Sequence, residues 1–279
     1  IINLLPIKND EMISAVVPLP INETEWENLN IIFATSLGMI RKNKLIDVAK
    51  SGQQSLRESG KTAIKLNKND ELISVNLCSD LDDSFLSTTD GKCIRFPISK
   101  IRLNSGLLSK GVRGIRLKIK NKVISMCILS HNKIDMSIRK NFLKYSSNIR
   151  KNQNIDEKND DFKKLREQEQ FIFSITARGY GKRSSAYEYR IANRGGYGIT
   201  GIVKTNKGGE VLNSFPVEDD DEIILVTNGG KIIRVPIKDV RIAGRSTKGV
   251  SIFKIPEDEK IVSVTKAKMF DYEIGRAHV

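Results

Sequence analysis

Between Asp221 and Lys266 apolar and polar positions alternate in four short β-branched runs, Glu222–Thr227, Lys231–Pro236, Val250–Ile255 and Lys260–Val264. Period-two alternation over so few residues is the mark of half-buried strands. Asn228-Gly229-Gly230 separates the first pair and Pro256-Glu257-Asp258-Glu259 the second, and both have the composition of tight turns. The stretch predicts two hairpins that together make one small four-stranded sheet.

The same pattern recurs along the chain, and its fixed points are chemical. Thr35, Thr88, Thr176 and Thr227 each precede by three residues a turn glycine, at Gly38, Gly91, Gly179 and Gly230. Four residues after each glycine stands a cation: Lys42, Arg95, Arg183 and Arg234. The last run also repeats, as Leu72–Val75, Val123–Met126 and Ile261–Val264, with Val211–Ser214 a weaker copy. Successive turn glycines are 53, 88 and 51 residues apart. Four strands in a period near fifty predict an all-β, propeller-like array of four-stranded blades, because one small sheet cannot bury its faces alone and stacks on its neighbours.

These registers divide the chain. Residues 1–20 read as the closing hairpin of a truncated blade, because Lys8–Ser14 nearly duplicates Lys68–Ser74. Blades follow at 29–79, 84–129, 171–217 and 221–268, about four and a half in all. The 88-residue interval contains an insert, 131–170, rich in Lys, Asn, Asp and Glu; its few large apolar residues predict a disordered loop, with Asp160–Glu169 able to form a short exposed helix. Asp47–Ser59 has room for a helical turn. The chain opens at Ile1 in mid-pattern with no signal peptide, so it reads as a fragment that begins upstream, and 273–279 read as an adaptor-derived tail outside the fold.

Charge narrows the partner. The 279 residues carry a formal net charge of +14, which favours a polyanion. No apolar run reaches the length of a membrane span and no basic amphipathic helix is evident, so nucleic acid is expected in place of a membrane. Cys78, Cys93 and Cys127 have neither zinc-site nor disulfide spacing and read as buried small hydrophobes in a reducing, cytoplasmic setting.

Other chemistry finds little support. Gly196-Tyr197-Gly198-Ile199-Thr200-Gly201 matches G-x-G-x-x-G, but a polar segment precedes it and another turn follows, so no dinucleotide site is expected. Gly181-Lys182-Arg183-Ser184 lacks the upstream glycine of a phosphate loop. No carboxylate pair recurs, and neither His131 nor Tyr180, Tyr187 or Tyr189 has the company of a catalytic group, so no catalytic residue, metal or cofactor is expected here. What does recur is positive charge. Besides the cation on each second strand, the linker before the third run carries Lys61, Lys110, Arg113, Arg194, Arg245 and Lys248, and Lys65, Arg116 and Lys254 share one further equivalent position, with Lys204 displaced by one. Cations in fixed register predict a basic rim: Lys42, Lys61, Lys65, Arg95, Lys110, Arg113, Arg116, Arg183, Arg194, Arg234, Arg245 and Lys248 are the expected phosphate contacts.

The runs Ile1–Pro18, Ser59–Leu77, Lys110-Gly111-Val112-Arg113-Gly114-Ile115-Arg116-Leu117, Ala177–Arg183 and Gly244–Ile255 resemble the C-terminal domain of the DNA gyrase A protein, over essentially all of 1–270 except the insert. The resemblance implies a six-bladed β-pinwheel whose neighbouring blades exchange strands and whose basic perimeter wraps double-stranded DNA. It further implies a type II topoisomerase built from two gyrase A and two gyrase B proteins, ATP and Mg belonging to gyrase B, that supercoils DNA negatively. The family's basic glycine-rich box of the first blade is absent, and Arg194-Gly195-Gly196-Tyr197-Gly198 is the nearest match. The homologous topoisomerase IV protein, a decatenating relative without the box, is the alternative; a propeller binding a protein or ligand in its channel is another.

Overall fold

Every opening hairpin is built by one device. In the computed structural model, which describes residues 13–53, 62–106, 108–151 and 160–268, the first strands are β1 (Asn30–Thr35) and β2 (Met39–Lys44). The amide of Gly38 donates to the Thr35 carbonyl at 2.9 Å, and the Thr35 hydroxyl accepts from the Met39 amide at 3.2 Å. Thr88, Thr176 and Thr227 accept likewise from Lys92, Tyr180 and Lys231 at 3.1–3.2 Å. The threonine is thus a side-chain clasp on the turn, and the glycine supplies the φ of about +80° that the turn requires.

β3 (Leu72–Cys78) closes the first unit. The second contains β4 (Asp82–Thr88), β5 (Lys92–Pro97), β6 (Val112–Arg113) and β7 (Val123–Ser130); the third β8 (Phe171–Thr176), β9 (Tyr180–Ser185), β10 (Ile199–Thr200) and β11 (Val211–Val217); the fourth β12 (Asp221–Thr227), β13 (Ile232–Pro236), β14 (Val250–Ser251) and β15 (Ile261–Lys268). The sheets have the orders β3-β1-β2-β6, β10-β5-β4-β7, β11-β8-β9-β14 and β13-β12-β15. The expected second hairpin does not form. In the second, third and fourth units the third run is reduced to two residues and pairs with the preceding blade, Met39 with Arg113, Cys93 with Ile199 and Gly181 with Val250. Each closing strand returns to pair with its own opening strand, as β15 does with β12.

The reason lies at one glycine. Gly111, Gly198 and Gly249, each with φ between 71° and 78°, open the exchanged segments. A Cβ on them would lie 2.1–2.5 Å from a backbone oxygen of the preceding blade. Contact that close lets the segment cross onto that blade, and the carbonyls of Gly38, Gly91 and Gly179 then accept amides from Gly114, Gly201 and Ile252.

Stacking puts the closing strands together. β3, β7, β11 and β15 pack on one another in order; the Ser74 hydroxyl donates to the Met126 carbonyl at 3.2 Å and that of Ser125 to the Ser214 carbonyl at 2.9 Å. These strands line the axis, so the exchanged strands occupy the opposite, outer edge of the first three sheets. The core sits between blades. Ile32, Ile40, Leu86, Phe96 and Ile115 join the first two, Phe85, Cys127, Ile172 and Tyr189 the next, and Phe173, Ile223 and Leu225 the last pair. A fully buried Ile or Phe contributes roughly 1.5–3 kcal/mol. A fourth cluster, Trp26 with Ile31, Phe33, Leu45 and Ile64, covers the other side of the first sheet, helped by α1 (Leu45–Gln53).

Two expectations change here. Residues 13–20 form no strand; the anticipated closing hairpin otherwise falls on residues 1–12, outside the described residues, as does the 273–279 tail. The insert is helical where it is described, with α2 (Met136–Ile149) and α3 (Asp160–Glu167). Asp135 caps α2 by accepting from the Ser137 amide at 2.8 Å. Phe142 is fully buried, edge-on to Tyr187 and Phe162 with centroids 5.5 and 5.8 Å away. Phe142, Tyr145 and Phe162 of the insert cluster beside Tyr187 of the third blade, which average composition conceals.

Candidate nucleic-acid interface

The second-strand cations that suggested a rim are mostly interior. Lys42 (4% exposed) places its Nζ 2.7 Å from Asp80 and donates to the Ile98 carbonyl. Arg95 pairs its Nε with the buried Asp83 at 2.7 Å and spends its remaining nitrogens on the Ala186 and Ser130 carbonyls, each at 2.9 Å. Arg183 bonds Asp219 and the Val240 and Lys238 carbonyls. These three are buried and bonded to carboxylates and carbonyls, which corrects the expectation that they meet phosphate. Their fixed register reflects the joint between blades: the backbones of Lys42, Arg95 and Arg183 bridge in parallel to Leu103, Ile191 and Ile242 of the following unit. Arg234 stands apart; its side chain is 62% exposed and, among the described residues, meets only Glu222 at its Nε.

A second buried layer supports the linkers. Arg41, fully buried, donates to the carbonyls of Ala63, Ser109 and Gly106. Lys182, equally buried, donates to the carbonyls of Gly244 and Arg245 at 2.7 and 2.6 Å. Burial lowers the Arg41 pKa and brings that of Lys182 down to about 8, because the protein interior solvates a cation less well than water does.

Above these clamps the linkers join into a continuous outer tract. The Lys65 amide donates to the Ser109 carbonyl at 3.4 Å, the Gly195 amide to Gly114 at 2.6 Å, the Arg116 amide to Gly196 at 2.8 Å and the Val203 amide to Thr247 at 3.0 Å. Arg194 spans to the Arg113 carbonyl at 3.2 Å and Arg245 to that of Thr200 at 2.8 Å. Lys65, Lys110, Arg113, Arg116 and Lys248 are exposed along it, and among the described residues none of their side chains meets a carboxylate. Arg194 and Arg245 are half-buried staples within it. Lys61 lies outside the described residues.

Folding also adds cations that no linear register marks. Lys92 reaches from the second blade's turn to the Thr200 hydroxyl of the third linker at 3.0 Å, and Lys207 shares a shallow pocket with Lys248 and Tyr180. Both sit on hairpins of neighbouring units, so only the packing brings them to the tract.

Elsewhere the chemistry is quiet. Ile199–Thr200 of the glycine-rich motif cross a sheet edge as β10, and the next element is strand β11, not a helix. The three cysteines are buried free thiols whose pKa values burial pushes up to about 12. The acidic trio Glu218, Asp220 and Asp221 is compensated by Lys266, 3.3 Å from Asp221, and Lys268, 2.7 Å from Glu218. No helix among the described residues is long and apolar enough to cross a membrane.

Antiparallel blades that trade an outer strand with the next unit around an axis of closing strands define a β-pinwheel. The family model of the DNA gyrase C-terminal domain, beta-propeller, matches residues 29–79, 83–126, 170–218 and 221–268, and the chain belongs to that family. It is 40% identical over 275 residues to the DNA gyrase A protein of Rickettsia bellii, covering 95% of this chain and 30% of that protein. It thus spans about 30% of the length of that curated relative. The crystal structure of the C-terminal domain of DNA topoisomerase IV superposes with a TM-score of 0.72 at 23% identity, over 95% of this chain and 69% of that one. A structure of the DNA gyrase A C-terminal domain superposes with a TM-score of 0.64 at 20% identity, over 86% and 66%. At such identities the likeness concerns the fold.

Proposed function

We propose that the outer tract binds duplex DNA without reading its sequence, and that the chain is the DNA-wrapping part of a gyrase A-type protein of a type II topoisomerase. The observation that carries this reading is the row of exposed, acid-free cations, Lys65, Lys110, Arg113, Arg116 and Lys248, on linkers tied into one ribbon at the outer edge. Arg194, Arg234, Arg245 and Lys61 complete the proposed contact set. Lysine and arginine on a curved support neutralise phosphates and release counterions, and a bent duplex gains more such contacts than a straight one. Contacts of this kind to phosphate carry no base readout, so affinity follows charge and deformability.

Within the parent protein the wrap would present a DNA segment for strand passage, driven by ATP and Mg bound in a gyrase B-type partner within an assembly of two copies of each protein, with negative supercoiling as the outcome; decatenation is the alternative product. In a salt titration against random duplex DNA, each engaged phosphate contributes roughly 0.9 to the slope of log K against log[salt]. Arg113→Ala with Arg116→Ala should reduce that slope by about 2 and weaken all duplex sequences alike. An unchanged slope, or strong preference among sequences in competition, would contradict the reading.

A further inference from the structure

The three exchanged linkers are near copies, and they differ at the residue before the crossing glycine. Lys110 and Lys248 occupy that place in the second and fourth units and reach solvent. In the third unit it is Tyr197, 57% exposed at the crest of the basic tract. A large ring projecting among cations costs apolar exposure, so its immediate surroundings matter. The Arg116 guanidinium from the neighbouring linker lies over the ring, 5.2 Å from its centroid, and the Arg116 amide donates to the Gly196 carbonyl at 2.8 Å. Lys92, Arg116 and Lys118 line a pocket of about 150 Å³ beside the ring, together with Asp90. Gly198, with φ +71°, follows Tyr197 directly, and a Cβ there would fall 2.4 Å from the Cys93 carbonyl oxygen, so the backbone after the ring lies close against the preceding blade. The ring is therefore backed by one cation, flanked by two more and carried on a segment packed closely against the preceding blade.

We propose that Tyr197 is an aromatic wedge that sets where the bound duplex is kinked. Cations beside the ring seat the phosphates on either side of a base step, and the ring enters that step from the groove, partly unstacking it. Charge alone bends the duplex smoothly; a rigid ring localises the bend. This rests on the DNA-binding reading above.

The test compares the wild-type chain and its variants on a random-sequence duplex and on the same duplex carrying one mismatched pair. A mismatch lowers the cost of unstacking, so the wild type should prefer the mismatched duplex by roughly tenfold. Tyr197→Phe should keep that preference, while Tyr197→Ala and Tyr197→Lys should lose it with unchanged melting temperatures. Tyr197→Lys, which restores the residue of the sister linkers, should also steepen the salt slope by about 0.9. Equal binding of both duplexes by the wild type with a normal salt slope overturns the wedge alone, as does a preference that survives Tyr197→Ala. Failure of the wild type to bind either duplex overturns the DNA-binding reading and the wedge with it.

Discussion

Two arginines of the second blade's unit illustrate how environment separates like residues. Arg95 sits 3% exposed against Asp83, which is itself wholly buried and also meets His131 Nδ1 at 2.7 Å. Arg113 projects from the outer edge with its guanidinium in solvent. Removing one partner of a buried pair strands the other charge, which costs about 3–5 kcal/mol, whereas truncating an exposed arginine is near neutral to the fold. Arg95→Ala is accordingly expected to lower the denaturant midpoint steeply, and Arg113→Ala to leave it in place while weakening duplex binding. Equal effects of the two on stability would show that the buried pair holds no joint together. The repeated cation was legible in the chain, but its burial was not. Residues recur wherever the repeating unit needs them, and a joint between blades needs them as strictly as a binding surface does.

At the level of elements, the joint depends on the linker glycine. Gly111 has φ +76°, and its Cβ would fall 2.1 Å from the Ile40 carbonyl oxygen. Gly111→Ala therefore combines backbone strain with a clash that rigid backbone cannot relieve, and is expected to cost about 1–3 kcal/mol or more. Chemical denaturation checks it; Gly106→Ala, where a Cβ has open space, is the control. The four opening hairpins were readable from threonine, glycine and alternating apolar positions because each is local. The third run was not, since apolar alternation over Val250–Ile255 looks the same whichever strand it pairs with. Only two of those residues enter a sheet, and that sheet belongs to the previous unit.

For the whole molecule, the helical insert should be separable from the array. Ser130 at the end of β7 and Gln170 just before β8 are already joined, Ser130 N to Gln170 Oε1 at 3.0 Å, so a short turn could replace 132–169. The shortened chain is expected to keep the duplex affinity and salt slope of the original, because the described part of the insert docks at Tyr187. Gel-shift titration would reveal a contribution of the insert as a fall in either quantity.

The chain by itself determined the period, the turns, the all-β class, the positive balance and the linkers that carry it, because each depends on residue type and short spacing. Tertiary packing alone decided which cations face water, which strand each short run joins, and that scattered aromatics of a polar insert share one docking point. Those outcomes depend on which neighbour covers a residue, and the neighbour comes from another unit, tens of residues away.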